Sequence, residues 1–222
     1  MREIVMDTET TGLDPSDGHR IVEIGAVELM HHMPTGRRYH QYINPERDMP
    51  DEAFRVHGLS RAFLAEHPLF AAVADAFLAF VGDSPLVIHN ATFDLKFLNA
   101  ELRSIGRPLL PTDRAIDTLP MAQRKFPGAP ANLDALMRRF GIDGSSRTLH
   151  GALLDSELLA EVYIHLLGGR QVGLELAVST NRSGVDAPVA KPRPKRHFTA
   201  PPEEIAAHEA FIATLEDPIW HR

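Results

Sequence analysis

The chain contains no cysteine, so disulfide bonds, thiolate metal ligands and cysteine nucleophiles are all excluded. It also lacks an apolar run long enough to cross a bilayer, and residues 1–7 contain no apolar region typical of a signal peptide. We therefore expect a cytoplasmic protein with no membrane partner. Positive charge is in deficit as well, since 23 lysines and arginines face 30 aspartates and glutamates, a net charge of −7. This excludes a general positive field for nucleic-acid binding, although bound metal ions can reverse the charge locally.

The composition changes near residue 177. Before this point the chain has the apolar and charged content of a soluble globular domain. Residues 188–202 are rich in proline and basic residues and cannot form a core, which predicts a flexible linker. Beyond it, Ile205, His208, Ile212 and Leu215 lie at helical spacing. We therefore predict a folded domain over residues 1–170, a linker over 171–201 and a tail helix over 202–222.

Apolar runs separated by turn signals predict an α/β domain before residue 177. Short aliphatic runs predict five strands, at residues 3–7, 20–29, 37–43, 85–89 and 115–118. A turn at residues 34–36 is predicted to join the second strand to the third. Helical spacing predicts helices at residues 69–81, 92–105, 119–126, 132–140 and 152–167, with Asn90 as the N-cap of the second. The order of these elements predicts a mixed sheet flanked by helices.

Four acidic residues and one histidine follow these predicted elements. Asp7 and Glu9 lie two apart at the end of the first strand, so their carboxylates share one face and repel each other unless a cation lies between them. Asp94 lies near the start of the helix that follows the fourth strand. His150 and Asp155 would be about 140° apart on a helix. They can converge if His150 lies in the loop and Asp155 lies one turn into the helix, with Gly151 permitting the bend.

In this order the five residues match the Asp-Glu-Asp-Asp-His pattern of an exonuclease superfamily, which the chain resembles. The resemblance is closer still to one family within it, the proofreading (epsilon) subunits of bacterial DNA polymerase III. It extends over residues 4–12, 21–27, 52–59, 87–97 and 148–163, and it resumes at 203–210 and at Trp220. The resemblance implies a ribonuclease-H-like mixed five-stranded sheet, and a 3′–5′ DNA exonuclease that removes mismatched 3′-terminal nucleotides.

The resemblance also implies how the five residues act. Asp7, Glu9, Asp94 and Asp155 would hold two divalent ions, and His150 would accept the proton of the attacking water. Because these metal ligands offer only oxygen, Mg²⁺ or Mn²⁺ is expected rather than Zn²⁺. A histidine suits the role of base, since its unperturbed pKa lies near 6.5.

Other segments are predicted to contact the substrate, the 3′ end of DNA. By resemblance, Glu52 and His57 approach the terminal nucleotide together with the metal ligands Asp7, Glu9 and Asp155. Residues 10–13, which end in Leu13, offer backbone N–H groups and an apolar wedge for the terminal base. Phe93 and Phe97, by contrast, are expected in the core, because apolar helical stripes usually pack inward.

The C-terminal part carries the predictions about partners. Gln171, Leu174 and Leu176 resemble the short motif that binds the sliding clamp, or they simply end the domain. The tail helix, with Phe211 and Ile212, resembles the part that docks on the alpha (catalytic) subunit of the polymerase, or it packs on its own domain. The basic linker either steers toward DNA or serves as a solvated spacer.

Two other functions are compatible with parts of this sequence. A free-standing RNA-trimming exonuclease would share the folded domain, but it would have little use for a linker that ends in an amphipathic helix. A non-catalytic adaptor between clamp and polymerase would not need all five residues of the acidic pattern. The sequence therefore favours the proofreading exonuclease.

Overall fold

A computed structural model of the chain describes residues 1–145, 149–169 and 200–214. The chain forms two compact units, Met1–Leu174 and Glu175–Arg222. The predicted domain limits at residues 170 and 201 remain predictions. Gln171, Leu174 and Leu176 lie outside the described residues.

The first unit is built on the predicted mixed sheet of five strands, which are β1 (Arg2–Thr10), β2 (Ile21–Met30), β3 (Met33–Tyr42), β4 (Leu86–Ile88) and β5 (Ala115–Asp117). Their order across the sheet is β3-β2-β1-β4-β5. β1 pairs antiparallel with β2 and parallel with β4, and β5 extends the parallel side. β1 therefore lies at the centre, where its side chains can meet residues from both halves of the sheet.

Seven α-helices are described in this unit: α1 (Asp51–His57), α2 (Arg61–Leu64), α3 (Phe70–Val81), α4 (Ala91–Ser104), α5 (Thr118–Lys125), α6 (Leu133–Phe140) and α7 (Ala152–Leu166). The five helices predicted by apolar spacing are present, each within about two residues of its predicted ends. α1 and α2 were not predicted. They are short, and each buries a single side chain, so neither produces an apolar stripe in the sequence.

The connection between β2 and β3 differs from the predicted turn at residues 34–36. Met30 pairs with Met33, so the turn is formed by His31 and His32, whose φ angles are 51° and 63°. Positive φ at both central residues is the geometry that suits a two-residue hairpin. The predicted turn residues instead lie inside β3, where the register shifts opposite β2 as in a β-bulge.

The start of α4 also differs in detail from the prediction. Asn90 occupies the N-cap position, but its φ is 65° and its side chain caps no N–H group. The carboxylate of Asp117, at the end of β5, accepts hydrogen bonds from the backbone N–H groups of Asn90 (3.0 Å) and Ala91 (3.1 Å). The cap is therefore supplied by a neighbouring strand, which fixes the start of α4 to the carboxyl edge of the sheet.

Both faces of the sheet are covered. Alternate residues Ile4 and Met6 of β1 pack with residues of α3 and α4 in one core. Val5 packs on the opposite face in a second core that includes Leu159 and Tyr163 of α7. Asp7 and Glu9 continue the series of Val5, so strand alternation directs them to the face that α7 covers.

In the second unit the structure describes one helix, α8 (Pro202–Ile212). Leu215 and Trp220 of the predicted tail helix lie outside the described residues. Ile205 and Phe211 are exposed on α8. Over the described ranges of the whole chain, no helix is both long and apolar enough to span a membrane.

Candidate active site

The predicted acidic residues of β1 lie at its carboxyl-terminal end. Glu9 is buried, and Asp7 is partly buried. Thr8, between them, points to the other face of the sheet, and its Oγ1 donates a hydrogen bond of 2.7 Å to Oδ1 of Asp94. Asp94 lies in the first turn of α4 and is buried. β1 therefore supplies two carboxylates and also holds the third.

α7 brings the fourth carboxylate, Asp155, against the same end of β1. The approach is close because residue 25 of β2 is glycine: a Cβ atom there would lie 2.1 Å from the backbone C of Ala152 and N of Leu153. Ser156 Oγ lies 2.9 Å from the carbonyl oxygen of Gly25, to which it donates. Direct contact between the backbones of α7 and β2 thus determines where Asp155 lies.

His150 lies in the loop before α7, as predicted. Its Nδ1 is 3.3 Å from Oδ2 of Asp155, and its side chain is 47% exposed whereas that of Asp155 is 4% exposed. One ligand atom from each of Glu9, His150 and Asp155 lies within 4.8 Å of the others. Gly151 has a φ of −154°, an extended conformation that any residue adopts. The bend therefore does not use the conformational freedom of glycine that the prediction invoked.

The pKa values of two of these carboxylates are raised, mainly by burial. Burial raises the pKa of Asp7 well above its usual range, and the charges of Asp94, Glu9, Asp155 and Glu23 add to the effect. Burial likewise raises the pKa of Asp94 to about 7, against the opposing hydrogen bond from Thr8. Such a cluster is unfavourable without a compensating positive charge, and divalent cations with a preference for oxygen ligands supply that charge.

Glu23 is a buried carboxylate of this region that sequence reasoning missed. It lies on β2 directly opposite Glu9, and its Oε1 is 2.7 Å from Nε2 of His40 on β3. The sequence places it in an ordinary strand pattern, so only the pairing of β1 with β2 reveals its position. Gly25, two residues later, carried a usable signal, since a glycine inside a strand often marks the close approach of another backbone.

A cleft of about 470 Å³ adjoins the carboxylates. It is lined by residues 8–14 together with Asp17, His19, Pro50, Glu52, Ala53, Val56, His57 and Phe93. Leu13 is 83% exposed at this cleft. The volume and the mixed lining are those of a small-molecule or nucleotide pocket.

The two predicted substrate residues of α1 both line the cleft. Glu52 is exposed, whereas His57 is buried. Nδ1 of His57 accepts a hydrogen bond of 3.0 Å from the backbone N–H of Leu59. Burial lowers the pKa of His57, so its neutral form is favoured.

The two phenylalanines that were expected in the core differ from each other. Phe97 is fully buried, as predicted. Phe93 is only partly buried and lines the cleft, although it also packs against the core. Its position in the first turn of α4, at the carboxyl edge of the sheet, leaves one side of the ring facing the cleft.

Comparison with known sequences gives strong matches over almost the whole chain. The model of a protein family described as Exonuclease matches residues 4–163. The DNA polymerase III subunit epsilon of Rickettsia felis is 51% identical over 222 residues, covering 97% of each chain. That of Escherichia coli is 42% identical over 228 residues, covering 97% of this chain and 93% of that protein.

Solved structures match the folded unit. Exonuclease X in complex with 5′ overhanging duplex DNA is 26% identical, with a TM-score of 0.59 over 74% of this chain and 90% of that chain. The nuclease domain of 3′hExo, a DEDDh family member bound to rAMP, is 21% identical, with a TM-score of 0.64 over 75% of this chain and 91% of that chain. The second likeness concerns the fold alone, and it is the ribonuclease-H-like fold predicted above.

Proposed function

The chain belongs to the exonuclease family and, within it, to the epsilon subunits of bacterial DNA polymerase III, and we propose that Asp7, Glu9, Asp94, Asp155 and His150 form its active site. The protein is a proofreading 3′–5′ exonuclease that acts on DNA. One observation carries the site proposal: five residues from three parts of the sequence converge at the carboxyl end of β1.

The donor set fits divalent metal ions, on which enzymes of this family depend. Four carboxylates supply oxygen ligands, and burial together with the neighbouring negative charges raises the pKa of Asp7, so a bound cation would stabilise the charged form. We propose two Mg²⁺ or Mn²⁺ ions, held by Asp7, Glu9, Asp94 and Asp155. When bound, a pair of such ions stabilises the attacking and leaving oxygens of a phosphodiester.

His150 is proposed as the general base. It is partly exposed, so it can reach a water molecule, and Nδ1 lies toward Asp155, which orients the ring. A neutral imidazole accepts the proton of the attacking water and leaves a hydroxide to displace the terminal nucleotide. Because Asp155 is a carboxylate, it also stabilises the imidazolium that results.

The cleft is proposed to hold the 3′-terminal nucleotide. Glu52 and His57 on α1 line the cleft, and Leu13 and Phe93, which also line it, offer apolar surface to the base. The position of the cleft beside the four carboxylates would place the last phosphodiester at the metal ions. A single nucleotide also fits a cleft of about 470 Å³.

The test compares digestion of DNA with a mismatched 3′ end, DNA with a paired 3′ end and RNA, with Mg²⁺ and after chelation. We expect the mismatched DNA end to be digested fastest and chelation to abolish activity. Asp155→Asn should be inactive, whereas Glu157→Gln on the same helix should be active, because Glu157 is 41% exposed and pairs with Arg38 at 3.2 Å. Normal hydrolysis by Asp155→Asn would contradict the proposed site.

The His150→Ala variant distinguishes the role of general base from the role of metal ligand. Turnover should fall by about 10²–10⁴-fold, the usual cost of losing a general base. Binding of Mn²⁺, measured by titration calorimetry, should persist because the four carboxylates remain. If metal binding is lost as severely as turnover, His150 is a ligand rather than the base.

As an epsilon subunit, the protein associates with the polymerase and with DNA. We propose the alpha (catalytic) subunit as the partner of the 202–222 tail, and the sliding clamp as the partner of Gln171, Leu174 and Leu176, with the cytoplasm as the site of action. Gln171→Ala together with Leu174→Ala should weaken clamp binding in surface plasmon resonance and leave digestion of short oligonucleotides unchanged. An unaltered clamp affinity would contradict this assignment.

A further inference from the structure

α1 forms one wall of the cleft and also ends at the loop that carries His150. Glu52, Ala53, Val56 and His57 are its cleft-lining residues. At its end, the carbonyl oxygen of Val56 accepts a hydrogen bond of 3.1 Å from the backbone N–H of His150. The helix that faces the terminal nucleotide is therefore bonded directly to the backbone of the proposed general base.

A second contact joins the same two segments. Gly58, at the C-cap of α1, has a φ of 71°, and a Cβ atom there would lie 2.6 Å from Cδ1 of Leu149. The side chain of Leu149 thus lies against the backbone of Gly58, in space that only glycine leaves open. Leu149 is still 49% exposed and is not among the residues that line the cleft, so neither core burial nor substrate contact accounts for its position.

α1 has little stability of its own. It has seven residues, its N-cap residue Pro50 makes no side-chain capping bond, and Phe54 and Val56 are more than 40% exposed. A helix this short is marginal without packing contacts. Its position therefore depends on what lies against it, and a nucleotide in the cleft would add contacts along the face that carries Glu52, Val56 and His57.

We infer that Leu149 and the end of α1 form a positioning device, through which a 3′-terminal nucleotide in the cleft holds His150 beside Asp155 and Glu9. Leu149 is a positioning residue, since it acts through His150. This inference rests on the proposed function, in which His150 is the general base. The device makes proton transfer depend on correct occupation of the cleft, because an empty cleft leaves α1 with fewer contacts.

Leu149→Ala tests the device. On a short single-stranded oligonucleotide with Mg²⁺, kcat should fall by about 10–100-fold, the scale of a misplaced catalytic group. KM should change much less than kcat, because Leu149 itself does not line the cleft. Leu149→Met should retain most of the wild-type kcat, because methionine has nearly the same volume as leucine. Leu109→Ala removes a leucine of similar exposure (43%) between α4 and β5 and should leave both constants unchanged.

A double variant shows whether the effect passes through His150. In the His150→Ala background, Leu149→Ala should cause no additional loss of kcat, since the base that it positions is absent. An additional loss as large as that in the wild type would overturn the inference, as would a normal kcat for Leu149→Ala alone. A normal rate for His150→Ala would overturn the proposed function and, with it, the inference.

Hydrogen exchange tests the link to cleft occupancy. Thymidine 5′-monophosphate with Mg²⁺ should slow exchange of the His150 amide, which is bonded to Val56, in the wild-type protein. The slowing should be much smaller in Leu149→Ala, at nucleotide concentrations that saturate both proteins. Equal protection in the two proteins, or none in the wild type, would overturn the coupling.

Discussion

At the scale of single residues, the acidic cluster of the proposed metal site is electrostatically unfavourable in the metal-free protein. Burial and four neighbouring carboxylates all disfavour the charged form of Asp7. The hydrogen bond from Thr8 partly offsets the same effect at Asp94. Thr8 was not singled out by the sequence, because its role depends on which residue faces it across the edge of the sheet.

We predict that Asp7→Ala abolishes most nuclease activity without destabilising the metal-free protein. Bound metal ions stabilise the charged transition state by several kcal/mol, and Asp7 is a proposed ligand of these ions. Its loss should therefore lower the rate by about 10²–10⁴-fold. The melting temperature without metal should be unchanged or higher, because a repulsive carboxylate is removed. Thermal unfolding and single-turnover digestion measure the two effects. A variant that melts well below the wild type would show that Asp7 stabilises the fold.

The raised pKa values predict how stability depends on pH. An unfolded aspartate has a pKa of about 4, whereas burial raises the pKa of Asp94 to about 7 in the folded protein. Between these values the folded state binds more protons than the unfolded state, so this contribution to stability falls as the pH rises from about 4 to about 7. Without metal, the melting temperature should therefore be higher at pH 5.5 than at pH 8.

Asp94→Asn provides the control for this pH effect, because it removes the titrating group and keeps the shape. The difference in melting temperature between pH 5.5 and pH 8 should shrink in the variant. In the wild type, saturating Mg²⁺ should raise stability more at pH 8 than at pH 5.5, since metal binding requires deprotonated ligands. If Asp94→Asn retains the full difference, other groups are responsible for it.

At the scale of secondary-structure elements, the site depends on how the ends of helices are attached to the sheet. Asp117 binds the first N–H groups of α4, and its Oδ1 also accepts a hydrogen bond of 2.9 Å from Leu119 in α5. One carboxylate thus fixes the start of the helix that carries Asp94. α7 is fixed differently, by the close approach of its first turn to Gly25.

Gly25→Ala is predicted to damage both stability and activity. The added Cβ would overlap the backbone of α7, which cannot yield as a flexible side chain can. Overpacking of this kind costs about 1–3 kcal/mol in unfolding free energy. Displacement of α7 should also move Asp155 and His150, so kcat should fall even where the protein is fully folded. Urea unfolding and digestion kinetics give the two values.

Gly36→Ala is a matched control for that substitution. Gly36 has a φ of 84° and lies in β3 away from the site, and a Cβ atom there would meet no other part of the described chain within 4 Å. The strained backbone should lower stability while leaving kcat of the folded protein unchanged. A wild-type kcat for the Gly25→Ala protein would contradict the prediction, because it would show that catalysis does not depend on the close approach of α7 to Gly25.

At the scale of the whole molecule, the catalytic residues and the predicted partner segments occupy different parts of the chain. All five proposed active-site residues lie in the first unit, and α7 ends at Leu166. The predicted clamp motif and tail come later. Under the proposed assignments, different segments of the chain would carry hydrolysis and attachment, and such attachment would raise the effective concentration of the nuclease near the primer end.

Truncation after Leu176 should leave an active exonuclease that no longer associates with the polymerase. Ile205 and Phe211 are exposed on α8, and burying such side chains against a partner is worth about 1.5–3 kcal/mol each at best. Co-purification with the alpha subunit and digestion of short single strands measure the two properties. If the truncated protein binds as tightly as the full chain, the tail is not the anchor. If it is inactive, the tail contributes to the catalytic unit.

The sequence by itself determined the features that follow from local periodicity. Alternation along a strand placed Asp7 and Glu9 on one face, and apolar spacing identified the five helices that bury a stripe of side chains. The order of the acidic residues and His150 was sufficient to indicate the family. Strand alternation and helical spacing depend on residues close together in the chain, and physical rules of short range govern them.

Only the tertiary structure decided which of these residues meet. Parallel pairing of β1 with β4 brings Asp94 to Thr8, antiparallel pairing with β2 sets Glu23 opposite Glu9, and contact with Gly25 places α7. The same applies to the turn at His31 and His32, to the unpredicted helix α1, and to Phe93 at the cleft. Distances between elements depend on strand register and helix docking. Packing over the whole core determines both, so no local sequence pattern encodes them.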